Sequence, residues 1–291
     1  MLTAWSKNGW RPWHLGAAGV MALAAILTHY TAWADIAGIA YNDEEDSHIF
    51  LVPVVVAALI WVRARRFRNC RPGGGVVGLA ILLAGVVISA VGYHRNVQSM
   101  WHGGALLALI GAVVTVLGKD ILLAFLPAFV VLLFLIPVPG RLRFQIANPL
   151  QSYTAQIMTE IFQLLGFNVV QSGNSVHING QDVLIAEACN GMRGVFGLFL
   201  ISYAFAFFVP LRGYVRFFIL LASPLSALLW NVIRLIPTIY LYGYATKRTA
   251  DDFHEFLGWV MLPAAFLLLM AVIAVLKWAL LPVAPYTLAY D

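Results

Sequence analysis

The chain has 291 residues, of which 62% are hydrophobic and only 11% charged. An average soluble domain is about half apolar and about a quarter charged, so 18 basic and 13 acidic side chains are too few to cover a water-facing surface of this length. A soluble globular enzyme, a disordered chain and a nucleic-acid binder are excluded despite the net charge of +5, because the charges stand between apolar runs rather than in one basic patch. The composition predicts an all-α polytopic membrane protein.

In chain order, Lys7 and Arg11 precede an apolar run that ends near Trp33. No small-residue cleavage site follows a short core, so the run reads as a first span and not as a cleaved signal. Stretches of the required length, about 20 apolar residues, are expected at 13–34, 48–62, 75–93, 101–118, 121–138, 191–210, 214–245 and 256–281. The second is short, and the seventh is interrupted by polar residues, Pro224 and Pro237. About eight transmembrane helices put both termini on one side. Lys7, Arg11, Arg63, Arg65, Arg66, Arg68, Arg71, Lys119, Arg212, Arg216 and Lys277 share one set of alternate segments. Arg95, Arg141, Arg143, Lys247 and Arg248 share the other. By the positive-inside rule the richer set, with both termini, is cytoplasmic. The chain reads as a single integral membrane domain, 1–291, in the cytoplasmic (inner) membrane, with an extracytoplasmic insertion at about 140–187.

The insertion begins with a mixed polar and apolar stretch in which Ile157, Ile161 and Leu164 recur at helical spacing. An amphipathic helix at the membrane surface fits it; a ninth, weakly apolar span competes. Two β-branched runs then flank Asn179-Gly180, a two-residue hairpin signal, and Gly173-Asn174 offers a second turn. A small extracytoplasmic β-hairpin or three-stranded meander is expected there. It leads into Glu187-Ala-Cys189-Asn-Gly-Met-Arg193, which opens the sixth span.

Three groups stand out because hydrocarbon makes them costly or because of their chemistry. Arg234 falls inside the seventh span, Cys189 at the outer mouth of the sixth, and His254 at the outer mouth of the eighth. Taken singly, each has an ordinary explanation: a packing cysteine, a solvated loop histidine, a structural ion-pair arginine. The topology nevertheless brings all three near the outer leaflet, and nothing in the orientation argument used them. Together they form a coherent set. A thiolate is a nucleophile whose pKa a neighbouring cation lowers, an imidazole can protonate a leaving amine, and a guanidinium can hold an oxyanion. Neither metal nor cofactor is expected, because the histidines and acids lack ligand spacing.

The same residues carry a family resemblance over most of the chain. Ser47-His48…Leu51-Val52-Pro53, Leu135-Ile-Pro-Val-Pro139, Glu187-Ala-Cys-Asn-Gly-Met-Arg193, Asn231-Val-Ile-Arg234 and Phe253-His254…Gly258-Trp259 resemble, in order and spacing, the motifs of the exosortase/archaeosortase family. The resemblance implies a membrane-embedded cysteine transpeptidase with Cys189 as nucleophile and Arg234 and His254 as partners. Glu187, Asn190, Arg193, Asn231 and His48 fall on or beside motif positions, as supporting or substrate-binding residues. Asn190 stands where the family has serine, and Ile49 where it has glycine. The implied partners are exported proteins with a C-terminal PEP-CTERM-like signal: a short motif, one spanning helix and a basic tail. The lipid bilayer is the other partner, and no nucleic acid is expected. A transporter or flippase for polysaccharide precursors is the alternative, since Arg234 in a broken span suits a binding cavity; it leaves Cys189 unexplained. A non-catalytic scaffold in surface-polymer assembly is a third reading.

Overall fold

The computed structural model describes residues 10–43, 45–73, 75–185 and 192–278. It divides into two compact units, Met1–Pro139 and Gly140–Asp291.

The first unit begins with α1 (Pro12–Thr28) and α2 (Tyr30–Asn42), which meet at an angle of 77°. The single span expected at 13–34 is therefore bent at His29. The Thr28 hydroxyl donates to the Ala24 and Ala25 carbonyls at 2.9 and 3.1 Å, and His29 Nδ1 lies 3.1 Å from the Ala25 oxygen. Side chains that occupy these carbonyls compete with continuation of the helix. A 3₁₀ turn (Ser47–Leu51) runs into α3 (Val52–Val62), and the basic stretch Ala64–Asn69 forms a second 3₁₀ turn. There Trp10 packs edge-on against Phe67 and donates from Nε1 to the Cys70 carbonyl at 2.8 Å.

Helices α4 (Val76–His94) and α5 (Gln98–Leu117) pack backbone to backbone. Gly78, Gly85 and Gly92 on α4 recur every seven residues, and a Cβ on any of them would overlap the main chain of Thr115, Ala108 or Trp101 on α5. Gly104 and Gly111 on α5 return the same contact. Small residues allow this approach where apolar burial alone gives helices no reason to associate in lipid. The expected span at 121–138 is divided into α6 (Asp120–Ala124), α7 (Leu126–Leu132) and a 3₁₀ turn at Leu133–Leu135. Pro127 cannot donate a backbone bond to the preceding turn, and the chain breaks at Phe125.

In the second unit α8 (Gly140–Leu164) is one helix despite Pro149. Three short strands follow, β1 (Val169–Ser172), β2 (Ser175–Ile178) and β3 (Gln181–Leu184), as an antiparallel meander in the order β1-β2-β3. Of the two forms expected, hairpin or meander, the meander is present. Asn179 and Gly180 both have positive φ, 49° and 76°, as a type I′ turn requires. Gly173 alone has positive φ at the first turn, the II′ pattern. Val169, Val176, Ile178 and Val183 of the meander form one core with Ala155, Met158 and Phe162 of α8 and with Leu235 and Ile239 of the later helix α10 (Gly213–Tyr244). Of the three residues that mark the expected helical spacing in α8, Ile157 and Leu164 are exposed and Ile161 packs against this core. The buried side is Ala147, Gln151, Ala155, Met158 and Phe162.

The unit closes with α9 (Met192–Phe208), α10, and α11 (Lys247–Trp278). Helix α10 runs 32 residues without a break although Pro224 and Pro237 lie inside it. Helix α11 starts nine residues before the span expected at 256–281, so His254 is helical and not part of a loop. Among the described residues four helices are long and apolar enough to cross a membrane, or up to six when two bent helix pairs count as one span each. The expected spans at 48–62 and 191–210 correspond to shorter apolar helices. The difference from eight comes from bends and short helices that a count of apolar residues does not register.

The α4–α5 contact generates a test. Gly85→Val should lower the unfolding temperature in detergent, with a destabilisation of about 1–3 kcal/mol from overpacking. Gly16→Val, at a position with nothing within 4 Å of its Cβ, should leave it unchanged. Equal unfolding temperatures for the two variants would contradict the backbone contact.

Candidate active site

One face of α10 carries Asn231, Arg234, Leu235, Thr238 and Ile239, at i, i+3, i+4, i+7 and i+8, the spacing of a single helical face. All five are buried; Arg234 keeps 3% of its surface exposed. A buried guanidinium needs its donors met, since an isolated buried charge costs far more than a buried amide. Asn231 Oδ1 accepts from Arg234 Nη2 at 3.0 Å. Thr238 Oγ1 donates to the Arg234 carbonyl at 2.9 Å. Pro237, which has no N–H, leaves this stretch of helix short of a donor.

Helix α11 supplies the opposite wall. Arg234 Nη1 lies 3.9 Å from where a Cβ on Gly258 would stand. Glycine there keeps the space in front of the guanidinium open. His254 is one turn before Gly258, on the same side of α11 by the i, i+4 rule. Its Nδ1 is closed off from solvent. Arg234 and His254 therefore both belong to the α10–α11 seam, about one helical turn apart along it.

Beside the seam is a cavity of about 660 Å³. His254, Leu235, Thr238 and Ile239 line it from the helices, and β3 lines it from the sheet as far as Ile185. Tyr242 donates to Asp251 Oδ1 at 2.7 Å on its rim, and Lys247 stands nearby. Sequence reasoning missed Thr238, Tyr242, Lys247 and Asp251. Thr238 and Tyr242 extend the polar row begun by Asn231 and Arg234 along an otherwise apolar helix, and that periodicity was a readable signal.

The remaining candidates divide by position. Glu187, Cys189 and Asn190 lie outside the described residues, as does the side chain of Arg193, whose backbone forms the first turn of α9. Their flanks are described. Ile185 is buried in the meander core, and Gly194 is packed against Met261, where a Cβ would overlap the methionine side chain. His48 belongs to the first unit. It is buried in the 3₁₀ turn before α3, with Nδ1 3.0 Å from the Glu45 carbonyl and its ring edge-on to Phe134.

The second cysteine has a different character. Cys70 is 1% exposed, with Sγ 3.5 Å from the Arg66 carbonyl. Burial, and then the Asp120 carboxylate, push its thiol above the ordinary range. A thiol so held is neutral and a poor nucleophile.

Among the described residues no group of His, Cys, Asp and Glu is arranged to hold a metal ion. No curated protein and no solved structure matches the chain. The description of the transmembrane exosortase family matches residues 33–271, a range that takes in both units, the meander and the α10–α11 seam. The protein thus belongs to the transmembrane exosortase family.

Proposed function

We propose that the protein is a cysteine peptidase and transpeptidase that cleaves C-terminal, PEP-CTERM-like sorting signals of exported proteins at the outer face of the cytoplasmic membrane. The observation that carries this reading is that buried Arg234 faces Gly258 across the α10–α11 seam, one helical turn from His254, which lines a cavity whose sheet wall ends at Ile185. Cys189 follows Ile185 by four residues, and four extended residues reach at most about 14 Å. That short tether from the cavity wall supports Cys189 as the nucleophile. Family membership supports the same assignment.

The chemistry runs in two halves. The Cys189 thiolate adds to the scissile carbonyl, and its oxygen takes the negative charge. The Arg234 guanidinium, a planar fork of fixed charge, stabilises that oxyanion in a site with little water. Protonated His254 gives its proton to the departing amine as the C–N bond breaks. The acyl group remains on Cys189 as a thioester, and the amine leaves with the membrane anchor. In the second half, neutral His254 takes a proton from an incoming water, hydroxyl or amine, which attacks the thioester and frees the thiolate. Asn231 orients Arg234 through its 3.0 Å bond. Glu187, Asn190 and Arg193 flank the nucleophile in sequence and act as supporting groups, and His48 is a further supporting candidate.

The topology proposed with this function has about eight spans, with the short helices counted, both termini cytoplasmic and the meander outside. Its basis is the excess of Lys and Arg on one set of segments, the exposed Arg65, Arg66 and Arg68 among them. These face anionic headgroups in that arrangement.

Three outcomes test the proposal. Cys189→Ala should leave a sorting-signal substrate wholly unprocessed on immunoblots of membranes, while Cys70→Ala processes it normally; processing by the Cys189→Ala protein would end the nucleophile assignment. Arg234→Lys should slow processing by roughly a hundredfold, as loss of an oxyanion donor does, and a wild-type rate would reduce Arg234 to a simple charge. A reporter fused within residues 64–72 should give a cytoplasmic signal, and an extracytoplasmic one would invert the topology.

A further inference from the structure

Among the described residues strand β3 is an edge strand, bonded to β2 on one side only. The register fixes which of its backbone groups face the open side. Ile178 and Gln181 flank the two-residue turn, so they exchange hydrogen bonds, and the bonded pairs then alternate along the ladder. Val183 pairs with Val176, and the Ile185 N–H donates to the Asn174 carbonyl at 2.9 Å. Residues 181, 183 and 185 thus point their main-chain groups at β2. Asp182 and Leu184 point theirs away from it, and among the described residues no backbone group pairs with them.

The cavity at the catalytic seam lies along this edge. Every residue from Gln181 to Ile185 lines it, whereas no residue of β2 or β1 does. A cavity over one face of a strand touches alternate residues, because side chains alternate between faces. Contact with five in succession means that the space runs beside the strand. The opposite wall is α10 and the start of α11, with His254 at one end.

A short edge blunted by a charged residue is an ordinary device against aggregation, and Asp182 supplies such a charge. That explanation covers the lack of a partner strand. It does not account for a space of about 660 Å³ held open between the edge and two helices, within the size range of ligand pockets.

We propose that the segment of substrate to be cleaved binds as an added strand on β3, its backbone hydrogen-bonded to the outward groups of Asp182 and Leu184. The inference rests on the peptidase reading and specifies how its substrate is held. Strand addition takes affinity from the main chain and specificity from alternate side chains. The five residues from Gln181 to Ile185 span about 17 Å, enough to fix an extended peptide in register. A peptide that continues into a membrane helix runs in the same sense as β3, which itself continues toward the apolar helix α9, so the added strand is parallel to it. Held so, the scissile bond travels along the edge toward His254 and the residues that follow Ile185.

The test is a single N-methyl residue moved stepwise through the segment upstream of the scissile bond, in a sorting-signal substrate whose cleavage requires Cys189. N-methylation removes one backbone donor and leaves the side chain. Cleavage by the detergent-solubilised enzyme should fall about tenfold or more at every second position and stay within about twofold at the positions between, the scale of one or two lost hydrogen bonds. Leu184→Pro removes an outward N–H that the sheet does not use, so the protein should keep its unfolding temperature and lose about tenfold in kcat/KM. An N-methyl scan without two-residue periodicity would overturn strand addition, and so would a stably folded Leu184→Pro enzyme with wild-type kcat/KM. Cleavage by Cys189→Ala enzyme would instead overturn the peptidase reading and leave the N-methyl pattern to decide the binding mode.

Discussion

A guanidinium buried to 3% exposure in a largely apolar protein constrains everything around it. Transfer of an arginine to the middle of a bilayer costs several kcal/mol at least, so Arg234 must be partnered, raised toward the membrane boundary, or both. Asn231 provides a partner on the same helix. Length provides the elevation. Helix α10 begins at Gly213 just after the basic Arg212 and extends 32 residues, about 48 Å at 1.5 Å per residue. Arg234 lies about 32 Å from its start, and the hydrocarbon layer is about 30 Å thick. In the proposed topology, with Gly213 at one boundary, the charge reaches the far boundary and not the centre. Helix α11 returns from the same end, and Gly258 stands about 16 Å down from Lys247, level with Arg234, which is about 15 Å from the end of α10. The equal overhangs match the glycine to the guanidinium and put His254 one turn further out.

The ends of α10 and α11 beyond Arg234 and Gly258 need support, and the meander packs against α10 there. Leu235 and Ile239 of α10 are buried against Ile178, Val183 and Ile185. Asn179 Nδ2 donates to the Gly243 carbonyl at 2.9 Å, near the last turn of α10. Polar bonds also tie the meander to α8, from Asn174 to Gln151 at 2.7 Å and from Gln171 to the Ser152 carbonyl at 3.2 Å. The site is thus built between a rigid helical seam and a small sheet clamped at both sides, a better basis for sub-ångström positioning than a free loop.

Much of this was legible in the sequence, for identifiable reasons. The Asn179-Gly180 turn was readable because few residues adopt its backbone geometry. Arg234 was conspicuous because a charge inside an apolar helix has few uses. His254 was expected just outside the last span: Asp251, Asp252 and Glu255 make the start of α11 look like a polar linker, while the helix in fact begins at Lys247. The bends at His29 and Phe125 were hidden by unbroken hydrophobicity, since composition measures transfer energy and not helix continuity. The helical spacing of Ile157, Ile161 and Leu164 was readable in α8, but the side that packs on the meander was not, because Ala147, Gln151 and Ala155 interrupt the apolar residues Met158 and Phe162 along it. The cavity edge along β3 depends on strand register and on the α10–α11 overhang together, and no local pattern encodes that combination.

Helix α8 also bears on how high the site sits. In water, exposed Leu142, Ile146, Tyr153, Ile157 and Leu164, which share one side of the helix, would be a large apolar patch of the kind that marks a membrane or protein contact. On a helix that also carries Arg141, Arg143, Gln156 and Glu160, they suit the interfacial position of the proposed topology, apolar side toward the acyl chains. Such a helix holds itself at the boundary, and the meander is bonded to its other side. The height of β3 is then set by α8, independently of the length of α10 that sets the height of Arg234. In the proposed topology both routes lead to the same plane, the one where the proposed substrate, anchored by a membrane helix, would present the residues just outside that helix.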